Sequence, residues 1–230
     1  MVLKYACAIA LTLLISYLLG SANSAIIVVK LLKHQDIRDY GSKNAGLTNT
    51  LRVYGKFPAL LTLIGDLAKG IVAVLLSILV FNVIVGADGF DRQIVGYVAG
   101  FAAILGHIFP IYYGFKGGKG VLVASSILIV IDPITFCIVI PFFALILFIT
   151  RYVSVASISA AVAYPIITFC THYFIEGVPV RLCILHTLLV SLTSILLIYM
   201  HRTNIKRLMN GTENKFGQKK KAEENTESDK

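Results

Sequence analysis

The sequence predicts an all-α fold: a polytopic membrane helical bundle of seven transmembrane helices, one of them short, with the N-terminus outside and the C-terminus cytoplasmic. Three observations predict it. Hydrophobic residues make up 57% of the 230 positions and charged ones only 14%, against roughly 45–50% and about 25% in soluble domains. Uncharged stretches of membrane-crossing length recur along the chain. Lys and Arg gather in alternate connections, as cytoplasmic loops do. A mean hydropathy of +0.82 excludes a soluble globule and a disordered chain alike.

A span needs about 20 apolar residues, within about 17–25. Residues 5–29, 93–115, Pro133–Thr150, 152–175 and 182–201 contain no Asp, Glu, Lys or Arg; residues 57–87 carry only Asp66 and Lys69 as charges, with the polar Asn82. Behind Lys4, residues 5–25 also have the look of a signal peptide. The apolar run resumes at residues 26–29 and leads into a basic loop, so a first span is expected there.

Val121–Ile131 has eleven residues, about 16 Å as a helix, and Asp132-Pro133 breaks it from the next run. It is either a short span of its own or half of one kinked span. The positive-inside rule decides. With seven spans, loops 30–56 and 111–120, Arg151 and the chain from His201 face inward, with six, two, one and eight of the Lys and Arg residues, together 17 of 21. With six, the eight-cation tail would face outward. Tyr5, Tyr112, Tyr113, Tyr152, Tyr173 and Tyr199 fall near the expected interfaces. Residues 1–217 are read as one integral membrane domain and 218–230 as a polar, disordered cytoplasmic tail.

The net charge of +9 suits anionic lipid and phosphate ligands better than nucleic acid. Cys7, Cys137, Cys170 and Cys183 are scattered through apolar runs and form no CxxC, so no disulfide framework or zinc site is expected from them. No cofactor or metal is required by the sequence. His172 and His186 have no partners in sequence and read as packing residues.

The loops carry the chemistry. Residues 41–49 read GSKNAGLTN, with Arg52 beyond; such backbone forms anion-binding nests. Residues 115–120 read FKGGKG at the mouth of the short helix, where mobile ammonium donors and a helix N-terminus suit a phosphate. The spacing is not that of a Walker A loop. His107 lies within reach of it. Asp66 and Lys69 share one helix face and can pair inside the second span. Arg202, Asn204 and Lys206, in HRTNIKRLMNGTE from His201 to Glu213, offer further donors.

Together these segments resemble the bacterial membrane acyl-phosphate:glycerol-3-phosphate acyltransferase family, PlsY. Its first-loop pattern GSxNxGxTN followed by Arg is matched by Gly41, Ser42, Asn44, Gly46, Thr48, Asn49 and Arg52. Its DxxKG is matched by Asp66, Lys69 and Gly70. Its HxFP and FKGGKGV are matched by His107, Phe109, Pro110 and residues 115–121. A shorter motif is matched by Arg151, Tyr152, Ser154 and Ser157, and HRxNIxRLxxGTENK by residues 201–215. Lys43 stands where family members usually have a small residue.

The resemblance implies transfer of a fatty acyl group from acyl phosphate to the 1-position of glycerol 3-phosphate, giving lysophosphatidic acid and inorganic phosphate in phospholipid synthesis. It implies a place in the bacterial plasma membrane, with the active site facing the cytoplasm. It also implies membrane lipids, and a soluble enzyme that makes acyl phosphate, as partners. Ser42, Arg52, His107, Lys116, Lys119 and Asn204 are the expected catalytic residues. Gly41, Asn44, Gly46, Thr48, Asn49, Gly117, Gly118, Gly120, Ser154, Ser157, His201, Arg202, Lys206 and Glu213 are expected around the substrate phosphates. His34 and Asp39 form an HxxxxD pair, the general-base signature of a different class of glycerolipid acyltransferases. With five His and seven Asp in the chain, chance supplies such a pair about 15% of the time, so it is set aside.

Overall fold

The computed structural model describes residues 1–217; the expected tail, 218–230, lies outside the described residues. Ten α-helices run α1 Val2–Ser21, α2 Ser24–Lys33, α3 Leu47–Tyr54, α4 Lys56–Ile84, α5 Arg92–Ile108, α6 Val121–Ile131, α7 Pro133–Thr150, α8 Val153–Cys170, α9 Val180–Met200 and α10 Arg202–Met209. Six helical segments are long and apolar enough to cross a membrane, and α6 is the shorter seventh. The seven-span bundle is therefore the fold.

One expectation needs correction. The first span is not continuous: it breaks at residues 22–23 into α1 and α2. Asn23 makes the break stable, because its side chain accepts from the Ile26 N–H and caps α2. Its own amide donates to the Ala45 carbonyl at 3.3 Å, tying the break to the first loop. The other boundaries follow local chemistry. Asp132 caps α7 through the Thr135 N–H, and Pro133 follows at the first helical position, where no amide partner is lost. At its far end α8 runs into a π-helical turn, Thr171–Ile175.

The bundle is built around α5, which packs against α1, α4 and α6. Its glycines let neighbours approach to backbone contact. A Cβ at Gly106 would run into the Tyr17 carbonyl of α1, and one at Gly20 into the Ala103 carbonyl of α5. Outward faces stay apolar, as with Leu79 and Val83 of α4 and Leu192 and Ile195 of α9; in lipid such faces cost nothing.

Successive spans alternate in direction. The loop after α2, the loop between α5 and α6, the α7–α8 corner and the segment from α10 onward therefore share one end of the bundle.

Gly106→Ala forces α1 and α5 apart. Overpacking of this kind costs about 1–3 kcal/mol, and a lowered melting temperature in detergent, with the helical circular dichroism retained below it, is the expected result.

Candidate active site

That shared end holds a cavity of about 420 Å³. The first turns of four helices line it: Leu47 and Thr48 of α3, Val121 and Leu122 of α6, Val153 and Ser154 of α8, Arg202 to Asn204 of α10. Each first turn has amides without intrahelical partners and carries the positive end of the helix dipole. Lys43, Arg52, Lys119, Arg202 and Arg207 add side-chain charge, against only Asp66 and Glu213. Such a site attracts anions. Leu122, Phe143 and Val153 add apolar lining from α6, α7 and α8.

The first loop is shaped by one side chain. Asn49 Nδ2 donates to the Tyr40 and Asn44 carbonyls at 3.0 and 3.1 Å, and its Oδ1 accepts from the Ser42 N–H at 2.9 Å. Both amide hydrogens are thus occupied within the loop, so Asn49 organises the site rather than offering a donor to it. Gly41 stands outside the lining at φ 61°, where a Cβ would strike Asn49 Oδ1. Lys43 also adopts a left-handed φ, of 60°, where a bulky residue is disfavoured. Arg38 clamps this loop to the next, donating through Nη1 to the Tyr113 carbonyl at 2.6 Å and to the Lys116 carbonyl at 3.2 Å.

In the second loop, the Gly117 and Gly118 amides donate to the Ile108 and His107 carbonyls at 3.0 and 3.1 Å. They finish the C-terminus of α5 and are not free for phosphate, contrary to the expectation. Their lack of a side chain is what the fold uses, since a Cβ at Gly118 would meet His107 Nε2 and the Ala45 carbonyl. Gly120, at φ 86°, starts α6.

A buried triad forms part of the cavity wall, with Lys69 behind Asp66 and His107. Lys69 Nζ is 2.8 Å from Asp66 Oδ1 and 2.8 Å from His107 Nδ1, and it donates to the Ala22 carbonyl at 3.1 Å. The intramembrane pair thus braces the α1–α2 break against α4 and α5. An ammonium can only donate, so His107 Nδ1 is the acceptor and its proton sits on Nε2, beside Gly118. His107 faces the site as a donor, not as a base.

A second network closes the other wall. Asn204 Oδ1 accepts from Lys119 Nζ, and its Nδ2 donates to Glu213 Oε1 at 2.6 Å. Ser154 donates to the same oxygen at 2.9 Å, and Arg207 Nε to Oε2 at 2.6 Å. Burial raises the Glu213 carboxyl, but the hydrogen bonds from Asn204, Arg207 and Ser154 outweigh it and hold it below its ordinary value. Burial, with the nearby Arg207 charge, pushes Lys119 down to about 8. Burial and the Lys119 charge push His201 down to about 4. His201 is therefore neutral; its Nδ1–H donates to the Leu197 carbonyl at 2.8 Å, leaving Nε2 as a lone pair. It can hold a hydroxyl, not an anion.

Of the expected residues, Ser42, Asn44, Gly46, Thr48, Asn49, Arg52, Asp66, His107, Gly117, Gly118, Lys119, Gly120, Ser154, Ser157, His201, Arg202, Asn204 and Glu213 line the cavity. Gly41, Lys69, Lys116 and Lys206 do not: Lys69 stands behind Asp66, while Lys116 and Lys206 are exposed. Sequence reasoning missed Arg207, although three-residue spacing from Asn204 puts it, and not Lys206, on the same face of α10. His34 and Asp39 are exposed outside the cavity.

A polytopic helical membrane protein with a cavity ringed by cations and helix first turns at one end is the class these features define. A family model described as glycerol-3-phosphate acyltransferase matches residues 10–211. The glycerol-3-phosphate acyltransferase of Chlorobaculum tepidum is 41% identical over 228 residues, covering 90% of this chain and 97% of its own. That of Syntrophotalea carbinolica is 43% identical over 204 residues, covering 89% and 95%. The crystal structure of PlsY, an integral membrane glycerol 3-phosphate acyltransferase, in its glycerol 3-phosphate form matches with a TM-score of 0.75 and 33% identity, covering 91% of this chain and 96% of that one. Its lysophosphatidic acid form gives a TM-score of 0.72 and 32% identity, with 91% and 95% covered. The chain belongs to the PlsY family of glycerol-3-phosphate acyltransferases.

Lys69→Met leaves Asp66 buried without its cation, a loss of about 3–5 kcal/mol. The double variant with Asp66→Asn is expected to melt at a higher temperature than Lys69→Met alone, because no uncompensated charge remains.

Proposed function

We propose that this chain transfers a fatty acyl group from acyl phosphate to the 1-hydroxyl of glycerol 3-phosphate, releasing lysophosphatidic acid and inorganic phosphate. The observation that carries this reading is the cavity itself: four helix first turns and five cations surround a space that Leu122, Phe143 and Val153 also line with apolar surface. Two phosphates, each of about −1.5 to −2 charge, need the first feature, and an acyl chain needs the second. The family relationship supports glycerol 3-phosphate as the acceptor.

An acyl phosphate is a mixed anhydride, so no acyl-enzyme is required. The glycerol hydroxyl attacks the carbonyl carbon, the carbon–oxygen bond to phosphate breaks, and a phosphate oxygen takes the hydroxyl proton. His201 Nε2 orients that hydroxyl. Lys119, Arg52 and the first turns of α3 and α6 stabilise charge on the carbonyl oxygen and the departing phosphate. His107 donates through Nε2. Asn204 and Glu213 hold Lys119 and Arg207 in place, and Ser42, Thr48 and Ser157 supply hydroxyls to the lining. Positioning contributes much of the remaining acceleration. The cavity end faces the cytoplasm of a bacterial plasma membrane, in accord with the inward cation bias, and a soluble enzyme supplies the acyl phosphate.

Purified protein is expected to release inorganic phosphate from palmitoyl phosphate only when glycerol 3-phosphate is present. Counterflow of labelled glycerol 3-phosphate without acylation would identify a transporter instead. Arg52→Ala, Lys119→Ala and Asn204→Ala are each expected to lower kcat by about 100-fold or more, while His34→Ala stays active.

The pH profile carries a sign. Lys119 is charged below its pKa of about 8, so kcat/KM is expected to fall as pH rises through that value. Lys119→Arg, which stays charged, is expected to remove that falling limb.

A further inference from the structure

At the end of the bundle opposite the cavity, five helices bring a polar cluster together. Asp132 sits at the α6–α7 junction, His172 and Glu176 follow α8, His186 lies on α9 and Asp91 caps α5. Asp132, His172 and His186 are fully buried, and the Glu176 side chain is 22% exposed. None of them belongs to the cavity lining.

We propose that Asp132, His172 and Glu176 form a binding site for a divalent transition metal of the zinc class. Their ligand atoms lie within 4.8 Å of one another. His172 Nε2 is 3.2 Å from Asp132 Oδ2 and 3.7 Å from Glu176 Oε2. Tetrahedral Zn²⁺ with bonds of about 2.0–2.2 Å separates its ligands by about 3.3–3.5 Å, so these spacings admit the ion with small adjustments. Gln93 Nε2 also approaches His172 Nε2, at 3.4 Å. One ring nitrogen makes one hydrogen bond in its plane, yet three polar groups crowd this one. A cation held by the nitrogen and both carboxylates resolves the crowding.

The surroundings are ordered as a metal site requires. With Nε2 on the ion, His172 carries its proton on Nδ1 and donates to His186 Nδ1, 3.1 Å away. That places the His186 proton on Nε2, facing Asp91 Oδ2 at 3.6 Å; this buried atom otherwise has no hydrogen-bond partner. Ligand histidines are oriented in this way by a second acceptor. Asp132 is fixed too, accepting from Tyr97 Oη at 3.1 Å and from the Thr135 N–H at 3.1 Å. The exposed edge of Glu176 leaves the fourth position to water. The π-turn sets His172 and Glu176 side by side, and such irregularities are frequent at functional sites. The ion joins the α6–α7 junction to the α8–α9 turn.

The test uses tag-free full-length protein in detergent, stripped by a chelator and titrated with Zn²⁺ against a chromophoric competitor. One equivalent per chain and a raised melting temperature are expected. Glu176→Gln and His172→Gln are each expected to weaken binding at least about tenfold and to abolish the thermal shift, while His34→Ala changes neither. Glu176 is at the rim, so its variant is expected to fold and phosphate release to be retained. Absence of binding, or Zn²⁺ affinity unchanged in Glu176→Gln, would overturn the assignment and leave the cluster as a hydrogen-bonded histidine pair.

Discussion

In the proposed reaction two phosphorylated molecules meet at the edge of a lipid bilayer, an electrostatic problem that the chain meets by aiming helices. Dipoles of α3, α6, α8 and α10 point into one cavity, and each brings unpaired amides that need no flexible side chain. Lysine and arginine add mobile charge. Glu213 limits their mutual repulsion: it holds Arg207 directly and reaches Lys119 through Asn204. Burial first, and then the neighbouring charge of Arg207, lowers the pKa of Lys119 before any anion enters. The rest of the fold exists to keep these helix starts at one level.

That requirement accounts for two irregularities. The α1–α2 break frees the Ala22 carbonyl, which takes a hydrogen bond from Lys69, and Asn23 beside it holds the first loop. A continuous helix would offer neither contact. The short α6 has the same logic: it begins at the cavity and ends after eleven residues at Asp132. Its end is therefore sunk within the bundle, where a carboxylate must find partners. It finds Tyr97 and His172.

How much of this could be read from the sequence depended on the range of the force involved. Lipid imposes apolar spans, so the seven crossings and the shared face of the cationic loops were legible. The break at residues 22–23 was not, because GSANSA contains no proline and, apart from the Asn23 cap on Ile26, its stabilising contacts come from residues 45 and 69. The glycines of FKGGKG were visible, but glycine serves both open amides and close packing. Only the structure shows that Gly117 and Gly118 spend their amides on α5. Helical periodicity alone would have chosen Arg207 over Lys206. His172 and His186 lie fourteen residues apart, across a turn, and nothing in the sequence pairs them or joins either to Asp132.

The central claim is that anions are held by the converged charge of this cavity. Calorimetric titration with glycerol 3-phosphate, and with glycerol as the uncharged control, tests it most directly on wild-type protein and on Arg52→Met, Lys119→Met and Arg207→Met. The account predicts saturable one-to-one binding of the phosphate ester, no detectable heat from glycerol, and at least about tenfold weaker binding in one or more of the three variants, as expected for a lost charge-assisted contact of about 1.5–3 kcal/mol. Equal binding of glycerol, or undiminished affinity in all three variants, would contradict it.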